Sequence, residues 1–158
     1  MTKPNKNQAG ITLFELMLVV AILAILAALA FPGIQEQRAR IQINAAQEDL
    51  VQSLRKARSV AMSRATLATV TVAAATVTPT TTTPATITLS VADGSLQTQT
   101  QNLPASLTIT NAAYIFSPAG TVAGAGTATL NTAITFSSIK PRNVDVSPVG
   151  NIVASIGP

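Results

Sequence analysis

Ala9-Gly10-Ile11-Thr12-Leu13-Phe14-Glu15-Leu16 opens an apolar run that continues unbroken to Phe31. Glu15 is its one charge. About 20 such residues, rising ~1.5 Å each in a helix, match the ~30 Å hydrocarbon core of a bilayer. The run therefore reads as a membrane-spanning helix rather than a core helix. The residues before it carry Lys3 and Lys6 and no acid, which predicts a cytoplasmic N-terminus. A secretory signal peptide would have a shorter apolar core followed by an A-x-A-like site. Here the small residue Gly10 precedes the apolar run, which ends at Phe31-Pro32-Gly33. Cleavage after Gly10 would remove the basic leader and leave the whole apolar segment on the product. Ile11 would be its first residue.

Glu15 has two physical readings: a carboxylate near the interface that stays hydrated, or one buried in the apolar run that finds a cation in a partner subunit. A lone carboxylate in hydrocarbon costs about 2.5–3.5 kcal/mol on insertion scales. No Lys or Arg lies within the run to neutralise it. The free α-amino group of a neighbouring Ile11 is the available cation. Burying that pair between stacked helices would set the axial register of an assembly.

Lys6-Asn7-Gln8-Ala9-Gly10 followed by Ile11-Thr12-Leu13-Phe14-Glu15-Leu16 resembles the processing site of type IV prepilins and type II secretion pseudopilins. The resemblance implies a prepilin peptidase that cuts after Gly10 and N-methylates Ile11. It implies Glu15 as the carboxylate needed for assembly, and Pro32 as the family's helix-kinking proline. It also implies other pilins or pseudopilins and an inner-membrane assembly platform as partners. The chain would sit in a bacterial inner membrane by a single pass, with its C-terminal domain periplasmic, before entering a pilus or pseudopilus. Ile11 departs from the phenylalanine usual in the family. The match covers about residues 6–32.

After Pro32-Gly33, apolar residues recur at Ala39, Ile43, Ala46, Leu50, Leu54, Ala57 and Ala61. Steps of three and four are an amphipathic helical period. No Pro or Gly interrupts Ile34–Ala65, so residues 11 to about 65 read as one helix, about 80 Å long. Its charges sit mostly on the second half. There Arg55, Lys56, Arg58 and Arg64 form a basic cluster with no acid inside it. Such a cluster reads as a solvated face near a helix C-terminus, or as a contact for an anionic partner.

From Thr66 the pattern changes to β-branched alternation: Thr69–Val72, then Thr86–Val91 with a hairpin turn at Asp93-Gly94. Strands are expected over Ser95–Gln101, Ser106–Thr110, Tyr114–Phe116, Thr127–Phe136, Asn143–Val146 and Asn151–Ala154, forming one antiparallel sheet that covers the helix stripe. Thr78–Pro84 is low in complexity and reads as an exposed, extended loop. The domains expected are a leader at 1–10, a membrane and assembly half-helix at 11–32, an amphipathic half-helix at 33–65, and a β-sheet domain at 66–158 that contains the loop 78–84. The fold class is α+β.

Helix followed by sheet is again similar to pilins. Leu54-Arg55-Lys56-Ala57-Arg58-Ser59-Val60-Ala61, the segment Ile115–Val122 with its Phe-Ser-Pro-Ala-Gly turn, and Pro141–Ile152 resemble segments of the GspH/FimT minor pilins.

Catalysis finds little material. The chain has no His and no Cys, and after Ala65 its acids are Asp93 and Asp145. Carboxylate pairs, triads and zinc sites are not readily built from that set. No cofactor and no metal are expected. The expected function is a structural minor pilin or pseudopilin. The alternative is capture of DNA during natural transformation, which some FimT-like members perform through a basic C-terminal motif. Here the comparable stretch is Lys140-Pro141-Arg142-Asn143, joined as candidate anion contacts by Arg55, Lys56 and Arg58. Tyr114, Phe116 and Phe136 are the few aromatic stacking candidates.

Overall fold

Thr12 begins the first element. Its hydroxyl oxygen accepts from the Glu15 N–H at 3.2 Å, and its carbonyl from the Leu16 N–H at 3.1 Å. This satisfies donors that a helix start leaves unpaired. The structure, a computed structural model, describes residues 12–77, 82–94, 96–124, 126–132 and 139–158. Helix α1 spans Leu13–Arg64 and runs through Pro32. It ends with Ala65 in the left-handed region at φ 52°, and the Thr66 N–H reaches back to the Ala61 carbonyl at 3.2 Å. That is the six-to-one bond of a Schellman stop, made here without the usual glycine.

The chain divides into two units, residues 1–35 and 36–158. In the first, the described side chains between Leu13 and Ala28 are exposed on every face of the helix, Leu13 at 78% and Ile25 at 63%. By length and composition this stretch suits a membrane span.

In the second unit the helical stripe faces inward as the sequence predicts. Ala39, Ile43, Ala46, Leu50, Leu54, Ala57 and Ala61 are all buried, joined by Val51. Ile43, Leu50 and Leu54, fully buried, fill the space between the helix and the sheets.

Eleven strands follow among the described residues. They are β1 Ala68–Ala73, β2 Thr76–Val77, β3 Thr82–Thr83, β4 Thr86–Val91, β5 Gln99–Asn102, β6 Leu107–Ile109, β7 Ala112–Phe116, β8 Val122–Ala123, β9 Gly126–Thr132, β10 Arg142–Val146 and β11 Ile152–Ile156. They form two principal antiparallel sheets where the sequence suggests one. The five-stranded sheet has the order β5-β4-β1-β7-β8, and the four-stranded sheet β11-β10-β9-β6. A third sheet pairs β2 with β3, so Thr82-Thr83 of the low-complexity stretch is hydrogen-bonded rather than a free loop. Residues 78–81 of that stretch lie outside the described residues.

Alternation chooses the inward face in both main sheets. Val70, Val72, Ile87, Leu89, Tyr114 and Phe116 point inward from the first. Leu107, Ile109, Ala128, Leu130, Val144 and Val146 do so from the second. β4 and β5 pair antiparallel, but their closing partners Leu89 and Gln99 enclose far more than the two-residue turn expected at Asp93-Gly94. β9 is described to Thr132, and the rest of the strand expected over Thr127–Phe136 lies outside the described residues.

Candidate functional site

Gly10 and Ile11, the expected cleavage pair, lie outside the described residues. Glu15 stands in the first turn of α1, exposed, with its backbone N–H held by Thr12. A carboxylate in the first turn faces the positive end of the helix dipole. Among the described residues that carboxylate has no partner. It is the one charge on a surface that is otherwise apolar as far as Ala28.

The second group of candidates is basic, and the folded unit divides it. Lys56 Nζ donates to Gln99 Oε1 at 2.6 Å, beside β5. Arg142 Nε donates to Asn44 Oδ1 at 3.0 Å, tying β10 to the helix. Arg55 is exposed and makes no hydrogen bond or ion pair among the described residues. It faces the same groove as Arg142, an opening of about 550 Å³ between α1 and β11. Lys140, exposed, lines a smaller cavity of about 180 Å³ that also includes Arg142. Arg55, Lys140 and Arg142 therefore lie toward one side of the molecule, whereas Lys56 belongs to the β5 side.

Arg58 does something the sequence reading missed. It is half-buried rather than part of a solvated face, and its Nη1 donates to the Gly150 carbonyl at 2.8 Å. Two matching turns meet it. Ser117-Pro118-Ala119-Gly120 joins β7 to β8, and Ser147-Pro148-Val149-Gly150 joins β10 to β11. In each the glycine N–H returns to the serine carbonyl at 2.9 Å, with glycine φ of 77° and 76°. The Val122 N–H donates to the Pro148 carbonyl at 2.9 Å, so the turns of the two sheets touch. A Cβ on Gly150 would stand 2.2 Å from the Gly120 carbonyl oxygen. Arg58 thus bonds one helix to a junction of both sheets. The repeated Ser-Pro-x-Gly was the available signal.

The aromatic candidates are withdrawn as stacking partners where they are described. Tyr114 and Phe116 are buried at 1% and 0% exposure, because β7 is an interior strand and both face inward. Phe136 lies outside the described residues. The Tyr114 hydroxyl is buried without a hydrogen-bond partner among the described residues. Burial, and then the nearby Asp145 carboxylate, raise its pKa above the ordinary tyrosine value. Asp145 itself accepts a hydrogen bond from the Thr127 hydroxyl. Among the described residues no three Asp or Glu side chains converge to hold a metal ion.

Residues 5–31 match the family described as "Prokaryotic N-terminal methylation motif". A fimbrial protein of Pseudomonas aeruginosa is 56% identical over 41 residues, 26% of this chain and 27% of that protein. The type IV major pilin protein PilE1 of Neisseria gonorrhoeae is 52% identical over 42 residues, 27% of this chain and 26% of that protein. The chain therefore spans about a quarter of the length of the curated relatives it matches. The crystal structure of the type IV minor pilin FimU from Pseudomonas aeruginosa aligns with a TM-score of 0.51 and 18% identity, over 75% of this chain and 90% of that one. The likeness to FimU is one of fold.

Proposed function

We propose that this type IV prepilin-like protein is a minor subunit of a type IV pilus or of a type II secretion filament, processed at Gly10–Ile11 and assembled through the first half of α1. One observation carries the reading: from Leu13 to Ala28 the helix is exposed and apolar on every face and bears a single carboxylate, Glu15, four residues beyond Ile11. Prepilin peptidase hydrolyses the Gly10–Ile11 peptide bond and methylates the amine so released. The protonated amine of one subunit then neutralises Glu15 of its neighbour. An unpaired Glu15 in hydrocarbon would cost about 2.5–3.5 kcal/mol, so correct axial stacking is favoured over misaligned stacking. Until assembly the chain is held in the inner membrane, its lysine-bearing leader cytoplasmic and residues 66–158 periplasmic. Pro32 lacks a backbone donor, and this reading makes it the position where the helix can kink in a filament.

Glu15→Ala tests this directly. The variant is expected to be inserted and cleaved like the parent, as read by mass spectrometry of the N-terminus, yet to be missing from sheared filaments. Parent-level incorporation of the variant, or a native chain that retains Met1–Gly10, overturns the reading.

A second reading is DNA capture, favoured by the placement of Arg55, Lys140 and Arg142 toward one side. It ranks below the first because Arg142 is already hydrogen-bonded to Asn44 and Arg58 to Gly150. Nucleic-acid affinity comes mainly from neutralising several phosphates. A gel shift at low and moderate salt decides it. Loss of a shift in the double variant Lys140→Ala/Arg142→Ala supports capture, and no shift at low salt removes it.

A further inference from the structure

Four strand edges of the two main sheets are open among the described residues, and three are blunted. β8 has two residues and β6 three. β5 is polar throughout, and its Gln99 and Gln101 are tied to Lys56 and Asp49 of the helix. β11 differs. It is five residues long, Ile-Val-Ala-Ser-Ile, with no charge and no proline. Natural sheets usually protect such an edge with charge, proline, a bulge or a cover.

The register shows which backbone groups face outward. Ser147 N–H donates to the Asn151 carbonyl, and Gly157 N–H to the Pro141 carbonyl. Hydrogen-bonded pairs alternate in an antiparallel ladder. Asp145↔Val153 and Asn143↔Ser155 are therefore the bonded pairs between those two ends. Ile152, Ala154 and Ile156 turn their N–H and C=O groups away from β10. The same three residues line the openings between β11 and α1: Ile152 in one of about 620 Å³, Ala154 and Ile156 in the adjoining one of about 550 Å³. Arg55 lines both. A groove flanked by helix on one side and free ladder groups on the other thus runs the length of β11.

We infer that this groove receives an extended segment of a different protein, which adds a strand to β11 and presents a carboxylate to Arg55. Donors and acceptors alternating along an edge match another peptide backbone, which carries both. A phosphate chain would satisfy the donors and leave the carbonyls unpaired. Arg55 supplies an uncompensated cation beside the edge, and no described group answers it. A second copy of this chain does not fit: its own edge strands β5, β6, β8 and β11 contain no Asp or Glu. Glu48, also unpartnered among the described residues, lies toward the Ile156 end and favours a cation there in the incoming strand. The groove belongs to the 36–158 unit, so the inference does not depend on how residues 11–32 assemble.

The test replaces Ser59, which lines the larger opening, with the photo-crosslinking residue p-benzoylphenylalanine in the full chain, expressed in its own host. A control chain carries it at the exposed Gln97. Illumination is expected to join position 59, and not position 97, to one segment of another protein containing an Asp or Glu. Ala154→Pro removes an outward N–H and leaves the ladder to β10 intact. It should reduce the adduct at least tenfold while the amides of Val153 and Ser155 still exchange slowly. Arg55→Glu, which leaves the backbone untouched, should reduce the adduct similarly and carries the test if Ala154→Pro unfolds. No adduct overturns the inference. So does an adduct to nucleic acid, to lipid or to a second copy, or one that persists in Arg55→Glu.

Discussion

The two halves of α1 have similar backbones and opposite environments. From Leu13 to Ala28 every described side chain is exposed, including Phe14 at 76%. From Ala39 to Ala61 one stripe is buried, with Ile43, Leu50 and Leu54 at 0% exposure. The second half finds its cover within the chain, in two sheets. The first half finds none among the described residues and is apolar all round, the pattern of a helix that suits a membrane span. Folding stability therefore resides in the 36–158 unit, while the proposed function assigns assembly to the 11–32 segment.

A matched pair of truncations gives the widest separation between the halves. Leu50→Ala removes a fully buried side chain and is expected to destabilise the 36–158 unit by about 2–5 kcal/mol. Leu23→Ala, at a residue 59% exposed, should leave thermal unfolding followed by circular dichroism in detergent unchanged. Equal effects would erase the distinction. Gly150→Ala comes next. Left-handed strain in a non-glycine residue costs about 1–3 kcal/mol, and the new Cβ also meets the Gly120 carbonyl. The melting transition should fall while membrane insertion is unaffected. Arg58→Ala should cost about 1.5–3 kcal/mol through its charged hydrogen bond to Gly150, an effect that Arg55→Ala, one turn away but unpaired, should not share.

Smaller effects sharpen the picture inside the sheet unit. The Tyr114 pKa is raised in the folded state. Below the ordinary tyrosine value of about 10, both states keep the proton and this group's contribution is fully present. Above it the unfolded chain ionises first, so stability is lost as pH rises through the folded value. Tyr114→Phe should flatten that alkaline decline in melting temperature. Near neutral pH it should change stability by less than about 1 kcal/mol, because the hydroxyl has no partner among the described residues. Ala65→Gly should stabilise by about 0.5–1 kcal/mol, by removing a Cβ from the left-handed helix stop.

Much of the helix was legible in the linear chain because its signals are local. Length and apolarity mark Ile11–Phe31, and the repeat from Ala39 to Ala61 names the buried stripe residue by residue. The sheet was legible strand by strand but not in its assembly. Period-two alternation tells which side chains share a face and says nothing about which strand lies alongside. β1 pairs with β4 and β7, and the split into two sheets follows from those distant pairings. In sequence Arg58 reads as one of a basic cluster with Arg55, Lys56 and Arg64, either a solvated face or a contact for an anionic partner. Its partner, Gly150, lies 92 residues away.

The order of the amino acids was enough to establish a long helix, greasy throughout its first half, with one stranded carboxylate and one inward stripe. These depend on spacing along a single element, where geometry is set by the backbone alone. The division of the strands between two sheets, the retreat of Tyr114 and Phe116 into the core, the capture of Arg58 by paired turns and the open edge of β11 came from the fold in three dimensions. Each depends on which distant segments close on one another, and that choice is made by packing, not by pattern.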